Sequence, residues 1–318
     1  MTPSVVAIVL ALIAGALWGT LGLITHYLLS YGLNTLQLGI LRLSGAFVLT
    51  LLIAAVLGRI RVLSIRQWAW LAAIGLACQA LSSVSFASAV AGAGSSLAII
   101  MLCMGPLFTA AINRFLYGEH LDSASRGLIL LGLIGLALTV LYSQGEQPRA
   151  ALFGKQWFVA LGWGLLSGLC YGLFPILTNA LGPLDSWVTV SFSLGLGTVF
   201  LAPLQGTYPV LTLPTDVSAW LLIAALILVP TVIADVLYVR AIAIGGPMLA
   251  TVFALIEVPA SVLYAWWWLA VPLVPAQWAG IFLFCLGLAG LALRRNQRPV
   301  PTTEPVIISP IQTEKHYE

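Results

Sequence analysis

The chain has 318 residues, of which 61% are hydrophobic and only 7% charged, against roughly 25% charged in ordinary soluble domains. No water-soluble fold of this length can hide that much apolar surface, so the composition points to an all-α polytopic membrane protein. The net charge of +3 hints at a nucleic-acid partner only until the basic residues are placed on the topology below, where most of them set the orientation instead.

A hydrocarbon core of about 30 Å takes roughly 20 apolar residues per helix, and ten stretches meet that length. The first, 5–29, lacks a basic leader and reads as a retained helix rather than a signal peptide; it carries Trp18 near mid-membrane. The second, 36–57, holds Arg42 about a third of the way in. The third, 68–90, presents Gln79, Ser82, Ser83 and Phe86 at helical spacing, a stripe suited to a wet cavity or to helix–helix contact. The fourth, 95–117, contains Pro106, and the acidic and basic residues after it (Glu119, His120, Asp122, Arg114, Arg126) read as a surface salt-bridge cluster. The fifth, 124–142, ends the first half, assigned to residues 1–142.

A linker over 143–156 leads to the sixth span, 157–181, with Trp163, Tyr171 and Pro175. The seventh is 186–204. The eighth, 218–242, carries Pro230, Asp235 and Tyr238, and the ninth, 247–269, carries Glu257. The tenth, 276–293, closes a second half over 157–293. The tail, 294–318, is proline-spaced and polar and is expected to be disordered.

Ten spans put both termini on one side. Arg59, Arg61, Arg66, Arg114, Arg126, Arg240, Arg294, Arg295 and Arg298 share that side, while Arg149 and Lys155 lie opposite. The positive-inside rule makes both termini cytoplasmic. Most tryptophans fall at span ends, as an interfacial belt requires. Cys78, Cys103, Cys170 and Cys285 all lie in apolar runs without CxxC spacing, so neither a disulfide framework nor a metal site is signalled. No nucleotide-binding or hydrolase motif is present, and no catalytic residue or cofactor is expected.

A shift of 153 residues aligns the two halves. Gly15 falls on Gly168, Gly19 on Gly172 and Trp18 on Tyr171; Gly92 falls on Gly245, Pro106 on Pro259 and Gly127 on Gly280. Each half has an odd number of spans, so the second is inverted relative to the first. Inverted repeats belong to transporters that bind a small-molecule substrate near the midplane. A carboxylate at a helix centre costs about 2.5–3.5 kcal/mol on insertion scales, so Glu257 must face protein or water.

Glu257 reads as a proton acceptor or counter-charge, or as a neutral carboxyl bonded to a neighbouring helix. Ser261 and Tyr264 share its face. Asp235, with Tyr238 on its own face, reads as a second proton site, a gate or a partner for an arginine; its position places it in the cytoplasmic third of its span. Arg42 either snorkels to the interface or holds a carboxylate. Trp18 and Tyr171 are expected to form opposite walls of a cavity or to pack as ordinary helix contacts. The candidate substrate-binding set is therefore Trp18, Gln79, Ser82, Ser83, Trp163, Tyr171, Tyr238, Glu257, Ser261 and Tyr264. Glu257, Asp235 and Arg42 form the proton-coupling and gating set.

The chain resembles bacterial drug/metabolite transporters built from two EamA domains. The resemblance rests on "ALWGTLGLI" (16–24), Arg42 in "LGILRLSGAF", "MGPLFTAAINRFLYGEHL" (104–121) and "TVFALIEVPASVLYAWWWLAVPL" (251–273). The pattern it is similar to has Glu-Pro in the ninth helix and Gly-Glu at that helix's end. Here the corresponding residues are Glu257-Val258-Pro259 and Ala270-Val271. The resemblance implies a multi-pass protein of the bacterial inner membrane, surrounded by lipid, that moves an amino acid, amine or other small metabolite, with protons as the coupling partner. A passive facilitator of the same fold, and an intramembrane lipid-modifying enzyme, are the rival readings.

Overall fold

The structure is a computed structural model and describes residues 3–93, 95–117, 122–141, 155–207 and 214–296. Glu119, His120, the linker from 143 to 154 and the tail beyond 296 lie outside the described residues. Among those described, nine helices are long and apolar enough to cross a membrane, and a tenth contains the shorter apolar helix Pro275–Leu291. There is no strand among them.

Chain order gives α1 (Pro3–Leu29), α2 (Thr35–Val56), and α3, built from Ile65–Ala73, a π-helical turn Ile74–Leu81, and Ser82–Ala93. Next come α4, in two pieces (Ser95–Leu102 and Gly105–Tyr117), and α5 (Ser123–Leu141). The second half repeats this order with α6 (Lys155–Ala180) and α7 (Ser186–Leu201). Its α8 consists of Val217–Ile227, a π-helical turn Leu228–Ile233, and Ala234–Gly245. Its α9 is again in two pieces (Pro247–Ala254 and Glu257–Leu269), and α10 is Pro275–Asn296.

Helix starts at the membrane surface need acceptors for their free N–H groups, because lipid offers none. Asn34 with Gln37, and Ser64 with Gln67, form capping boxes for α2 and α3. Asp185 and Asp216 cap α7 and α8 by accepting from the backbone N–H of Trp187 and Ser218. Gly246, at φ 80°, lets α8 turn at once into α9, where Pro247 occupies the first turn.

The breaks in α4 and α9 have one cause. Pro106 and Pro259 have no N–H, so the carbonyls of Leu102 and Leu255, four residues back, lose their helical donors. Both helices end and restart at that point. Leu102 and Leu255 are equivalent in the repeat, and the π-helical turns of α3 and α8 are likewise equivalent.

The halves interlock at these breaks. In α1, a Cβ on Gly15 would collide with the carbonyl of Ala254, and one on Gly19 would lie 2.9 Å from the carbonyl oxygen of Glu257. In α6, a Cβ on Gly168 would collide with the carbonyl of Met101, and one on Gly172 would lie 2.5 Å from that of Gly105. The first helix of each half thus lies directly on the broken helix of the other. Lipid supplies no hydrophobic force between helices, so small residues that let backbones touch are what hold such crossings. Thr109 adds an inter-helix bond, its hydroxyl donating to the Gly172 carbonyl at 2.9 Å.

Helices α5 and α10 form a second symmetric pair, meeting closely at Gly135 and Gly280. It is fastened by Gln277 Nε2, which donates to the buried Thr139 carbonyl at 3.2 Å. The loops after α2 and α6 lie at the same end of the bundle, since Arg59 pairs with Asp185 at 3.9 Å. Trp266, Trp267, Trp268 and Trp278 are exposed around the α9–α10 connection.

Candidate functional site

The site begins with α1. Gly19 brings this helix against the second piece of α9, which opens on Glu257. The neighbouring Trp18 then faces α8, just past its π-helical turn. There its indole Nε1–H donates to Asp235 Oδ1 at 2.9 Å. Asp235 is only 6% exposed, so most of its remaining surface is covered by protein. One turn on, Tyr238 is buried and packs edge-on to Trp18, with ring centroids 4.8 Å apart at 60°. Its other side stacks on Phe174 of α6 at 5.7 Å and 17°.

The Tyr238 hydroxyl reaches Thr251 Oγ1 at 3.4 Å, and Thr251 donates to the Pro247 carbonyl at 2.8 Å. These contacts hold α1, α6, α8 and α9 in one aromatic and polar cluster.

Arg42 of α2 lies within Coulombic range of both Asp235 and Glu257. It forms no hydrogen bond or ion pair among the described residues and stays half-buried. Glu257 is also half-buried, with no hydrogen-bond partner for its carboxylate among the described residues. As the first residue of a helical piece, it sits at the positive end of a helix dipole. Tyr171 of α6 lies within electrostatic range of Glu257, Tyr238 and Cys103; its hydroxyl is buried without a partner among the described residues. Three formal charges, one positive and two negative, therefore share one low-dielectric region with a group of aromatic rings.

Of the residues singled out from sequence, the structure joins Trp18, Asp235 and Tyr238 by a hydrogen bond and a ring contact and sets Arg42, Tyr171 and Glu257 within electrostatic range of that group. It does not join the others to them by any hydrogen bond or ring contact among the described residues. Gln79 packs its stem where Gly197 of α7 leaves room. Ser83 donates to the Gln79 carbonyl of its own helix at 2.6 Å, and Ser82 is half-buried. Ser261 donates to the Val258 carbonyl of its own helix, and Tyr264 pairs with Trp268 at 6.0 Å. Trp163 is exposed.

The hydrogen bond with Trp18 sets Asp235 beside the middle stretch of α1. It lies just past the π-helical turn of α8, which runs through a 29-residue apolar stretch. Two cluster members, Phe174 and Thr251, were not singled out from sequence. Thr251 could have been noticed as a lone hydroxyl in an apolar run shortly before Glu257; Phe174 carries no such mark. A separate crevice between α4, α5, α9 and α10 is lined by apolar side chains, including Leu128, Leu133, Val252, Leu255, Phe284 and Leu288. It holds no charged group.

Comparison with known proteins agrees with this architecture. The model of the EamA-like transporter family matches residues 5–141 and again 158–293. An "uncharacterized transporter" of Archaeoglobus fulgidus is 28% identical over 179 residues, 56% of this chain; the match spans 59% of that relative's length. A protein of known crystal structure superposes with a TM-score of 0.74 at 19% identity, covering 92% of this chain and 99% of the other. At that identity the likeness speaks for the fold alone.

Proposed function

Because the chain belongs to the EamA-like transporter family and is a membrane transporter built from two repeats, we propose that it moves a small amino acid or amine by alternating access, coupled to protons. The observation that carries this reading is Glu257, a carboxylate inside the membrane-spanning bundle with no hydrogen-bond partner among the described residues. A group so placed serves as an ion or substrate site more readily than as a structural tie. In the proposed cycle, Glu257 takes a proton from one side and releases it to the other as the halves rock about the α1–α9 and α6–α4 crossings. Arg42 balances the carboxylates, and Trp18, Tyr171 and Tyr238 form the walls against which the cargo rests.

The proposed membrane is the bacterial inner membrane, with both termini cytoplasmic. The side rich in Arg59, Arg61, Arg66, Arg114, Arg126 and Arg240 supports that orientation. The two halves, 1–142 and 157–293, act as the moving units.

Reconstitution tests this reading. The purified chain in liposomes, with an imposed pH gradient, should accumulate a labelled amino acid or amine, and a protonophore should abolish the accumulation. Movement without accumulation would instead favour a passive facilitator. No movement of any amino acid or amine would overturn the reading.

A further inference from the structure

Many hydroxyls inside this bundle find an acceptor on their own helix. Those of Ser44, Thr50, Ser83, Thr109 and Thr139 all donate to the carbonyl four residues back, the usual bond of serine and threonine in a helix interior. Three side chains where α3 meets α6 do not. The hydroxyl oxygens of Ser85, Ser167 and Tyr171 are buried and have no hydrogen-bond partner among the described residues. Both serines are 0% exposed.

The three lie close together along the chain's own geometry. Arg59 and Asp185 mark the end of the bundle where α3 begins and α6 ends, so these packed helices run antiparallel. Gly164 of α6 faces Ala89 of α3, where an added Cβ would lie 3.6 Å from that of Ala89. One turn back along α3 stands Ser85. The matching step along α6 reaches Ser167 and Gly168, and Tyr171 follows Ser167 by one turn on the same face. The repeat agrees: Tyr171, Ser85 and Ser167 are the counterparts of Trp18, Tyr238 and Ala14, and Trp18 and Tyr238 are in ring contact.

An O–H enclosed in a membrane bundle without an acceptor is costly, and lipid supplies none. A serine can turn to its own helix, but the Tyr171 hydroxyl stands a ring's length from its own backbone and cannot. A buried water makes about three hydrogen bonds to polar groups that would otherwise go unsatisfied. We infer that one ordered water bridges Ser85, Ser167 and Tyr171, in the space that the ring of Tyr238 fills at the other crossing. There the Trp18 N–H is satisfied by Asp235. Here the water takes the carboxylate's part, accepting from Tyr171 and joining it to the two serines. The two crossings are thus tied by different agents, a carboxylate in one and a water in the other.

The test melts the full-length purified chain in detergent after removal of one hydroxyl at a time. Ser85→Ala and Tyr171→Phe should each lower the melting temperature by about 2 °C, the shift produced by one lost hydrogen bond. Removing a dry, unpartnered hydroxyl would instead leave it unchanged or raise it. The double variant should fall little further than either single one, since the first substitution already releases the water. Thr178→Val is the control. Its hydroxyl is also buried without a partner among the described residues, but it stands roughly 10 Å beyond Tyr171 along α6, so its effect should add in full to that of Tyr171→Phe.

Hydroxyl-radical footprinting by X-ray radiolysis gives an independent reading. Radicals formed at the bound water should oxidise Tyr171, and Ser85→Ala should reduce that oxidation severalfold relative to the exposed Tyr31. Melting temperatures that stay level or rise in both single variants, or shifts of Ser85→Ala and Tyr171→Phe that simply add, would overturn the inference. So would Tyr171 oxidation that Ser85→Ala leaves unchanged. In the unaltered chain, Tyr171 oxidised no faster than the enclosed Tyr238 would overturn it as well, so the question is decidable even if the variants do not fold. Both readouts are independent of what the chain moves.

Discussion

The two crossings between the halves share a backbone design and differ in chemistry. Where α1 meets α9, and α8 beside it, the residues are Trp18, Glu257, Asp235 and Tyr238. At the repeat-equivalent positions of α6, α4 and α3 stand Tyr171, Met104, Ser82 and Ser85. Arg42 of α2 is matched by Gly195 of α7. The glycine contacts, the proline-driven breaks and the π-helical turns occur on both sides; the charges occur on one. A duplicated crossing geometry thus coexists with a single charged centre, and the two can be perturbed separately.

The largest expected effect is at the charged centre. Glu257→Gln should reduce pH-driven accumulation in liposomes to the level of protein-free vesicles, while the protein still folds and melts cooperatively. Retained accumulation would place proton coupling elsewhere. At the uncharged crossing, Gly172→Ala should act on folding, because the new methyl meets the Gly105 carbonyl and the Thr109 backbone, neither of which is a flexible side-chain end. A loss of about 1–3 kcal/mol is expected, read as a lower melting temperature in detergent.

Asp235→Asn weakens a hydrogen bond made to a charged group. It should cost about 1–2 kcal/mol, whereas Ser82→Ala at the equivalent position should change the melting temperature little. Equal effects would contradict the one-sided arrangement. The smallest change is a gain. Ala270 ends α9 in the left-handed region at φ 53°, a conformation that favours glycine. Ala270→Gly should raise stability by about 1 kcal/mol, measured by the same melting assay.

Much of the fold is legible in the sequence because lipid enforces it. Apolar runs of spanning length mark the helices, and Gly15, Gly19, Gly168 and Gly172 betray the repeat because close crossings admit nothing larger. The π-helical turns are not legible. Neither Ile74–Leu81 nor Leu228–Ile233 carries a residue that demands that geometry, except for Pro230 in the second.

In the site, Arg42, Asp235 and Glu257 stand out because charge is rare in a bilayer. Their connections do not, since Trp18 and Asp235 lie 217 residues apart and only the tertiary arrangement makes them neighbours. The polar stripe of α3 illustrates the opposite difficulty. Helical spacing groups Gln79 with Ser83 for a cavity and for a helix contact alike. The Ser83–Gln79 carbonyl bond and the packing of Gln79 at Gly197 emerge only once α7 is in place.

The reciprocal crossings bear on how the protein is made. After α5 has been synthesised, the nascent first half has exposed the groove of α4 but still lacks α6 to fill it. The same holds for α1, which waits for α9. If the chain were severed between α5 and α6, each fragment would retain two unfilled half-joints, and co-expression should let the fragments reassemble as complementary pieces. Neither fragment is expected to mature alone.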